Sequence, residues 1–170
     1  MKLRRVIVSW DFTGAVASAA VVAAVTPHWI LNTAAQDLFR VGTSVLSLLF
    51  SIFFAALAVI VSAANEEFLM WLESDTRSQE KSDYQKIVSA YRLSLVTLFL
   101  ALIITLWFFG YTTIRIGNGV RHQHNWFLVT FTFFFFYGLF VAVQSSFYAV
   151  RFSQFRNEFA ILRRRQNLPK

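Results

Sequence analysis

Three stretches of this chain carry no charged side chain for more than twenty residues: Val41–Asn65, Leu93–Ile114 and Trp126–Val150. At about 1.5 Å of rise per helical residue, each outreaches the ~30 Å hydrocarbon layer of a bilayer. A chain of 170 residues that is 56% hydrophobic and 18% aromatic has little room for a separate soluble domain. The reading is an all-α membrane protein with four transmembrane helices and cytoplasmic helical extensions. It forms one domain over 1–170, with spans at about 6–30, 41–64, 93–114 and 126–150. The first span has two placements, Val6–Val25 with Asp11 inside it, or Phe12–Leu31 with Asp11 as N-cap. An apolar run broken by Asp11 argues for an uncleaved helix over a signal peptide.

Orientation follows from the basic residues. Of the 16 Lys and Arg, all but Arg40, Arg115 and Arg121 fall on the side that holds both tails and the middle link. The positive-inside rule puts that side in the cytoplasm, and the expected location is a bacterial inner membrane. Trp10, Trp29 and Trp126 fall near span ends, where an interfacial belt would place them.

The long link 65–92 reads as a helical hairpin and a candidate docking surface for a soluble partner. Glu66–Glu73 continues the second helix, and Asp83–Arg92 begins the third. Tyr148, Phe152, Phe155, Phe159 and Leu162 form one stripe, so the fourth helix is expected to run on as a basic cytoplasmic helix over 151–165. Arg163, Arg164 and Arg165, with Lys170, are candidate contacts for anionic lipid or a protein partner. No direct nucleic-acid binding is expected.

Inside the spans the most specific pattern is Ser44, Ser47, Ser51, Ala55, Ala58 and Ser62. These share one face of the second helix while larger residues fill most other positions. Small faces let backbones approach closely and let serines hydrogen-bond across the contact. Three roles fit: a packing seam within one subunit, a seam between subunits, or the lining of a polar pore. Ser94, Thr97, Ala101 and Thr105 form a weaker small face on the third helix. Gly14, Ser18 and the alanines 15, 19 and 23 do so on the first. The fourth helix, with Phe131, Phe133–Phe136 and Phe140, is expected at the lipid-facing periphery.

Asp11 is the one acid within a proposed span. It is read as a cap at the cytoplasmic interface, with a proton or cation site as the sharper reading. Gln144, Ser145 and Ser146 form a candidate polar intramembrane site. His122 and His124 could offer two imidazoles to a metal, but no third ligand stands nearby, so no metal or other cofactor is expected. Without cysteine, a phosphate loop or a paired set of catalytic side chains, the chain is read as a non-enzyme.

The stretch VGTSVLSLLFSIFFAALAVIVSAANEEF, Val41–Phe68, is a serine- and alanine-studded helix running into a charged hairpin. In this the layout resembles small bacterial four-span membrane proteins of phage-exclusion and anti-phage systems, RexB-like or Kiwa KwaA-like. The likeness is one of architecture, covers the four spans and transfers no individual site residue. It implies an oligomeric membrane sensor or effector that conducts ions or signals with a cytosolic partner. The alternatives from the residues alone are a small proton- or cation-coupled transporter using Asp11, and an accessory anchor for a soluble enzyme.

Overall fold

The computed structural model describes residues 10–63 and 78–166, with the backbone alone for residues 63, 78–84, 155 and 162–166. The elements are α1 (Trp10–Val25), β1 (Trp29–Leu31), α2 (Asn32–Ala63), α3 (Ser78–Gly117), β2 (His122–His124) and α4 (Trp126–Gln166). Among the described residues, three helices are long and apolar enough to cross a bilayer, within Asn32–Ser62, Gln85–Gly117 and Trp126–Ile161. They mark the chain as an integral membrane protein. The fourth, α1, has 16 described residues, about 24 Å of helix.

The packing order is α2 on α3, α3 on α4, and α4 on α1. The phenylalanine-rich α4 is therefore central, not peripheral. The reason is steric. Large rings fill the gaps beside residues that have none. A Cβ on Gly14 of α1 would come within 2.8 Å of the Phe140 ring, and one on Gly42 of α2 within 2.5 Å of Phe131. Each glycine is a socket for a ring of α4. In lipid, where apolar burial gives helices little drive to associate, this van der Waals fit carries the packing.

Two apolar clusters stack along the bundle. Phe39, Phe108, Phe127 and Phe131 gather near the α4 N-terminus, with Phe39 edge-on to Phe131 at 5.0 Å between centroids. Leu46, Phe53, Ile60, Ile87, Leu98 and Phe152 continue toward the far end. The α3 face with Ser94, Ala101 and Thr105 is buried, so this weaker small face is the seam within the subunit.

The loops at the α4 N-terminus are more ordered than the sequence suggested. Residues 29–31 and 122–124 pair as an antiparallel ribbon, Trp29 opposite His124, Ile30 opposite Gln123 and Leu31 opposite His122. The Asn32 N–H donates to the Arg121 carbonyl at 2.9 Å and extends the ladder into the first residue of α2. The connection expected between the spans at about 6–30 and 41–64 thus holds a short strand, and α2 begins at Asn32, nine residues before the expected start. Gly119, at φ 76°, makes the turn that leads from α3 into β2.

Candidate functional site

The small stripe of α2 faces away from its own bundle. Ala35, Phe39, Leu46, Phe53 and Ile60 form the buried row of this helix. At 3.6 residues per turn, Ser44, Ser47, Ser51, Ala55, Ala58 and Ser62 centre roughly 160° around from that row. All are exposed except Ser47, which is half-buried. Among the described residues, this face is turned away from the bundle core. Three of the hydroxyls are already occupied by their own helix. Ser44 donates to the Arg40 carbonyl at 3.1 Å, Ser51 to the Ser47 carbonyl at 2.9 Å and Ser62 to the Val59 carbonyl at 3.1 Å. A hydroxyl folded back onto its helix leaves a smooth surface of low relief. Asp37 and Arg40 are exposed on the same stripe at its ribbon end, one turn apart and opposite in charge.

Asp11 stands in the first turn of α1 and is held against the middle of α4. The Trp10 ring packs on Phe140 at 5.5 Å, and Phe12 meets Phe133 at 5.7 Å and Tyr137 at 6.2 Å, both edge to face. These contacts hold Asp11 at the depth of Tyr137–Phe140. Along α4 that is about 17–21 Å from Trp126 and about 15–20 Å from Val150, near the middle of the uncharged stretch. Trp10 shares that level of α4. Asp11 is 6% exposed, and among the described residues its Oδ1 has no hydrogen-bond partner. A carboxylate at such a depth costs ~2.5–3.5 kcal/mol on insertion scales, which is why intramembrane acids mark functional sites by default. Replacing Asp11 with leucine is expected to stabilise the bundle by about 1–2 kcal/mol, because a buried unmet oxygen is removed. A shift of the SDS-unfolding midpoint would read it, and a loss of stability would show that Asp11 has a structural partner.

The run Gln144–Ser146 does not act as one site. Helical phase turns Ser145 inward and Ser146 outward, with Gln144 half-buried between them. The Ser145 and Ser94 hydroxyls hydrogen-bond to each other across the α3–α4 contact, and Ser94 also donates to the Ala90 carbonyl at 2.8 Å. Ser146 is satisfied by the Ala142 carbonyl at 3.0 Å. Ser145→Ala should cost about 0.6 kcal/mol, the usual worth of an interhelical hydrogen bond in a membrane, since Ser94 keeps its backbone acceptor. The side chains of Arg163, Arg164 and Arg165 lie outside the described residues, as does the middle of the link, 64–77.

A buried polar cluster under the ribbon was not foreseen. Gln123 points inward, and its Oε1 accepts from the Thr112 hydroxyl at 3.2 Å. Asn32 Nδ2 donates to the Val120 carbonyl at 2.7 Å, and Arg115 donates to the Tyr111 hydroxyl and the His122 carbonyl. Asn125 ties α4 to the α1–β1 turn, with its N–H donating to the His28 carbonyl at 2.9 Å. The sequence signal was present at Asn125, which stands directly at the head of an apolar run as a helix-capping residue does, but not at Asn32, which is followed by Thr33, Gln36, Asp37 and Arg40. His122 and His124 project from the opposite face of the ribbon and are exposed. His124 Nδ1 accepts the Trp126 N–H at 3.3 Å, so that nitrogen serves the start of α4.

Comparison with protein-family models, with curated proteins and with solved structures returned no match.

Proposed function

We propose that this protein is a self-assembling inner-membrane sensor or effector whose copies meet along the outward stripe of α2. The observation that carries the reading is the direction of that stripe. A row of small side chains turned outward, with the Ser44, Ser51 and Ser62 hydroxyls bonded back onto the helix, suits close approach of a second helix. Copies inserted in one orientation bring their α2 helices together in parallel. Asp37 of one copy then stands within a turn of Arg40 of the next, which favours that register. The self-bonded serines favour a packed seam over a water-filled lumen.

In this reading the helical ends beyond the bilayer, α4 past Arg151 and the link 65–92, receive the signal in the cytoplasm with both tails on that side. A cytosolic protein partner would bind there, and lipid would meet the basic tail. The resemblance to phage-defence membrane proteins supplies the setting of an anti-phage response. The test is to reconstitute the protein in lipid nanodiscs and vesicles, then measure subunit number and ion flux. Assembly beyond the monomer is expected. A monomer that leaves flux unchanged and captures no partner through 65–92 or 151–170 would defeat the proposal.

A second reading has its own support in the depth of Asp11. A carboxyl held among Trp10, Phe12, Tyr137 and Phe140 is placed as a proton- or cation-coupling residue would be. Under that reading Asp11→Asn abolishes pH-dependent uptake in reconstituted vesicles. Unchanged uptake removes it.

A further inference from the structure

We infer that the slot between α1 and α2 holds one acyl chain of a bilayer phospholipid. The inference rests on membrane embedding and is independent of self-association. α1 and α2 both pack on α4 and leave a gap between them, with Val22 and Thr26 on one wall, Leu38 and Val41 on the other, and Leu128 and Thr132 at the base. The gap has a volume of about 330 Å³.

Its chemistry is that of hydrocarbon. Thr26 and Thr132 are the hydroxyl-bearing residues of the lining. Each donates to the carbonyl four residues earlier, Val22 and Leu128 respectively, so neither hydroxyl asks for a polar ligand. The base is stiff, because Phe131 is wedged against Gly42 and edge-on to Phe39. The Asn125 N–H bond to His28 and the Asn125 Nδ2 contact with the Thr26 carbonyl, at 3.5 Å, close the slot at the ribbon end. A chain must therefore enter sideways from the lipid.

Chemistry and surroundings decide the occupant. Along α4 the slot runs from Leu128 to Phe136, about 12 Å, and is partly open to the outside. A stretch of alkyl chain can lie along it. The surrounding medium presents such chains at this depth, since the slot lies within the uncharged stretch of α4. An empty apolar slot would leave its walls without contacts on one side, and a bound chain restores them.

The test uses full-length protein in phosphatidylcholine vesicles doped with a diazirine-chain phosphatidylcholine. Photolabelling is mapped by peptide mass. Label at Val22, Leu38 and Leu128 is expected at least fivefold above label at Ile103, an exposed apolar side chain of α3. Leu38→Trp plugs the slot from an exposed position and should cut label at Val22 and Leu128 about fivefold while sparing Ile103. Val41→Trp serves as a second plug should the first disturb folding. The same pattern is expected in the Ser51→Arg variant designed to be monomeric, which separates this inference from self-assembly. Even labelling of slot and α3, label that ignores both plugs, or Leu38→Cys copies that cross-link to each other without lipid label would overturn it.

Discussion

Gly42→Val should lower the stability of the bundle by about 3 kcal/mol, at the upper end of what overpacking costs. A Cβ at this position would come within 2.5 Å of two carbons of the Phe131 ring. That ring can give only toward the slot between α1 and α2, which it lines. Phe39, fully buried, meets it edge-on, and Phe135 packs behind it at 5.6 Å. Valine adds two further methyls to the collision. Either α2 tilts away from α4 or the Phe131 ring leaves its socket, and both routes open the cluster near the ribbon. SDS or urea titration in mild detergent would read the loss. Phe131→Leu in the same chain should return part of it, because a smaller side chain vacates the space the valine needs. A Gly42→Val protein as stable as its parent would mean that the close approach of α2 and α4 is not as described.

The other large effect is expected at Ser51. An arginine there should weaken association of copies about a hundredfold. Placing a guanidinium at the centre of an apolar interface costs ~2.5–3.5 kcal/mol on insertion scales. Each 1.4 kcal/mol is a factor of ten in the equilibrium. In the monomer the cost is smaller, since Ser51 is exposed and a long side chain can bend toward a polar boundary. The fold should therefore survive while the assembly dissolves. Ala55→Leu gives a milder version, adding bulk without charge on the same row. Measured by light scattering or native mass spectrometry, an unchanged subunit number in both variants would place the interface elsewhere. If the stripe instead lined a pore, Ser51→Arg would leave assembly intact and alter conductance.

How far the sequence could lead depended on what each residue's meaning required. Uncharged length is a property of the chain alone, so the three long apolar helices were legible from Val41–Asn65, Leu93–Ile114 and Trp126–Val150. The small stripe of α2 was equally legible as a pattern, but its direction was not. Whether Ser51 faces in or out depends on which neighbour receives Leu46 and Phe53, and that is a tertiary fact. The phenylalanines of α4 misled for the same reason. Phe131 and Phe140 look like lipid-facing bulk until Gly42 and Gly14 are found opposite them, about ninety and a hundred and twenty-five residues away in the chain. The β ribbon was invisible because strands of three residues, WIL and HQH, leave no periodicity to read. Asp11 was recognised as exceptional from its setting, yet its depth followed only from the contacts of Trp10 and Phe12 with α4.

The central claim is that copies of this membrane protein meet along the outward row of α2. The chain contains no cysteine, so single cysteines can be introduced one at a time and oxidised in native membranes. Ser44→Cys, Ser51→Cys, Ala55→Cys, Ala58→Cys and Ser62→Cys should form disulfide-linked dimers with a period of 3–4 residues. Leu46→Cys and Phe53→Cys, on the buried row, should not. Cross-linking that is absent from the small row, or stronger on another exposed face such as that of Leu100 and Ile103, would contradict the account.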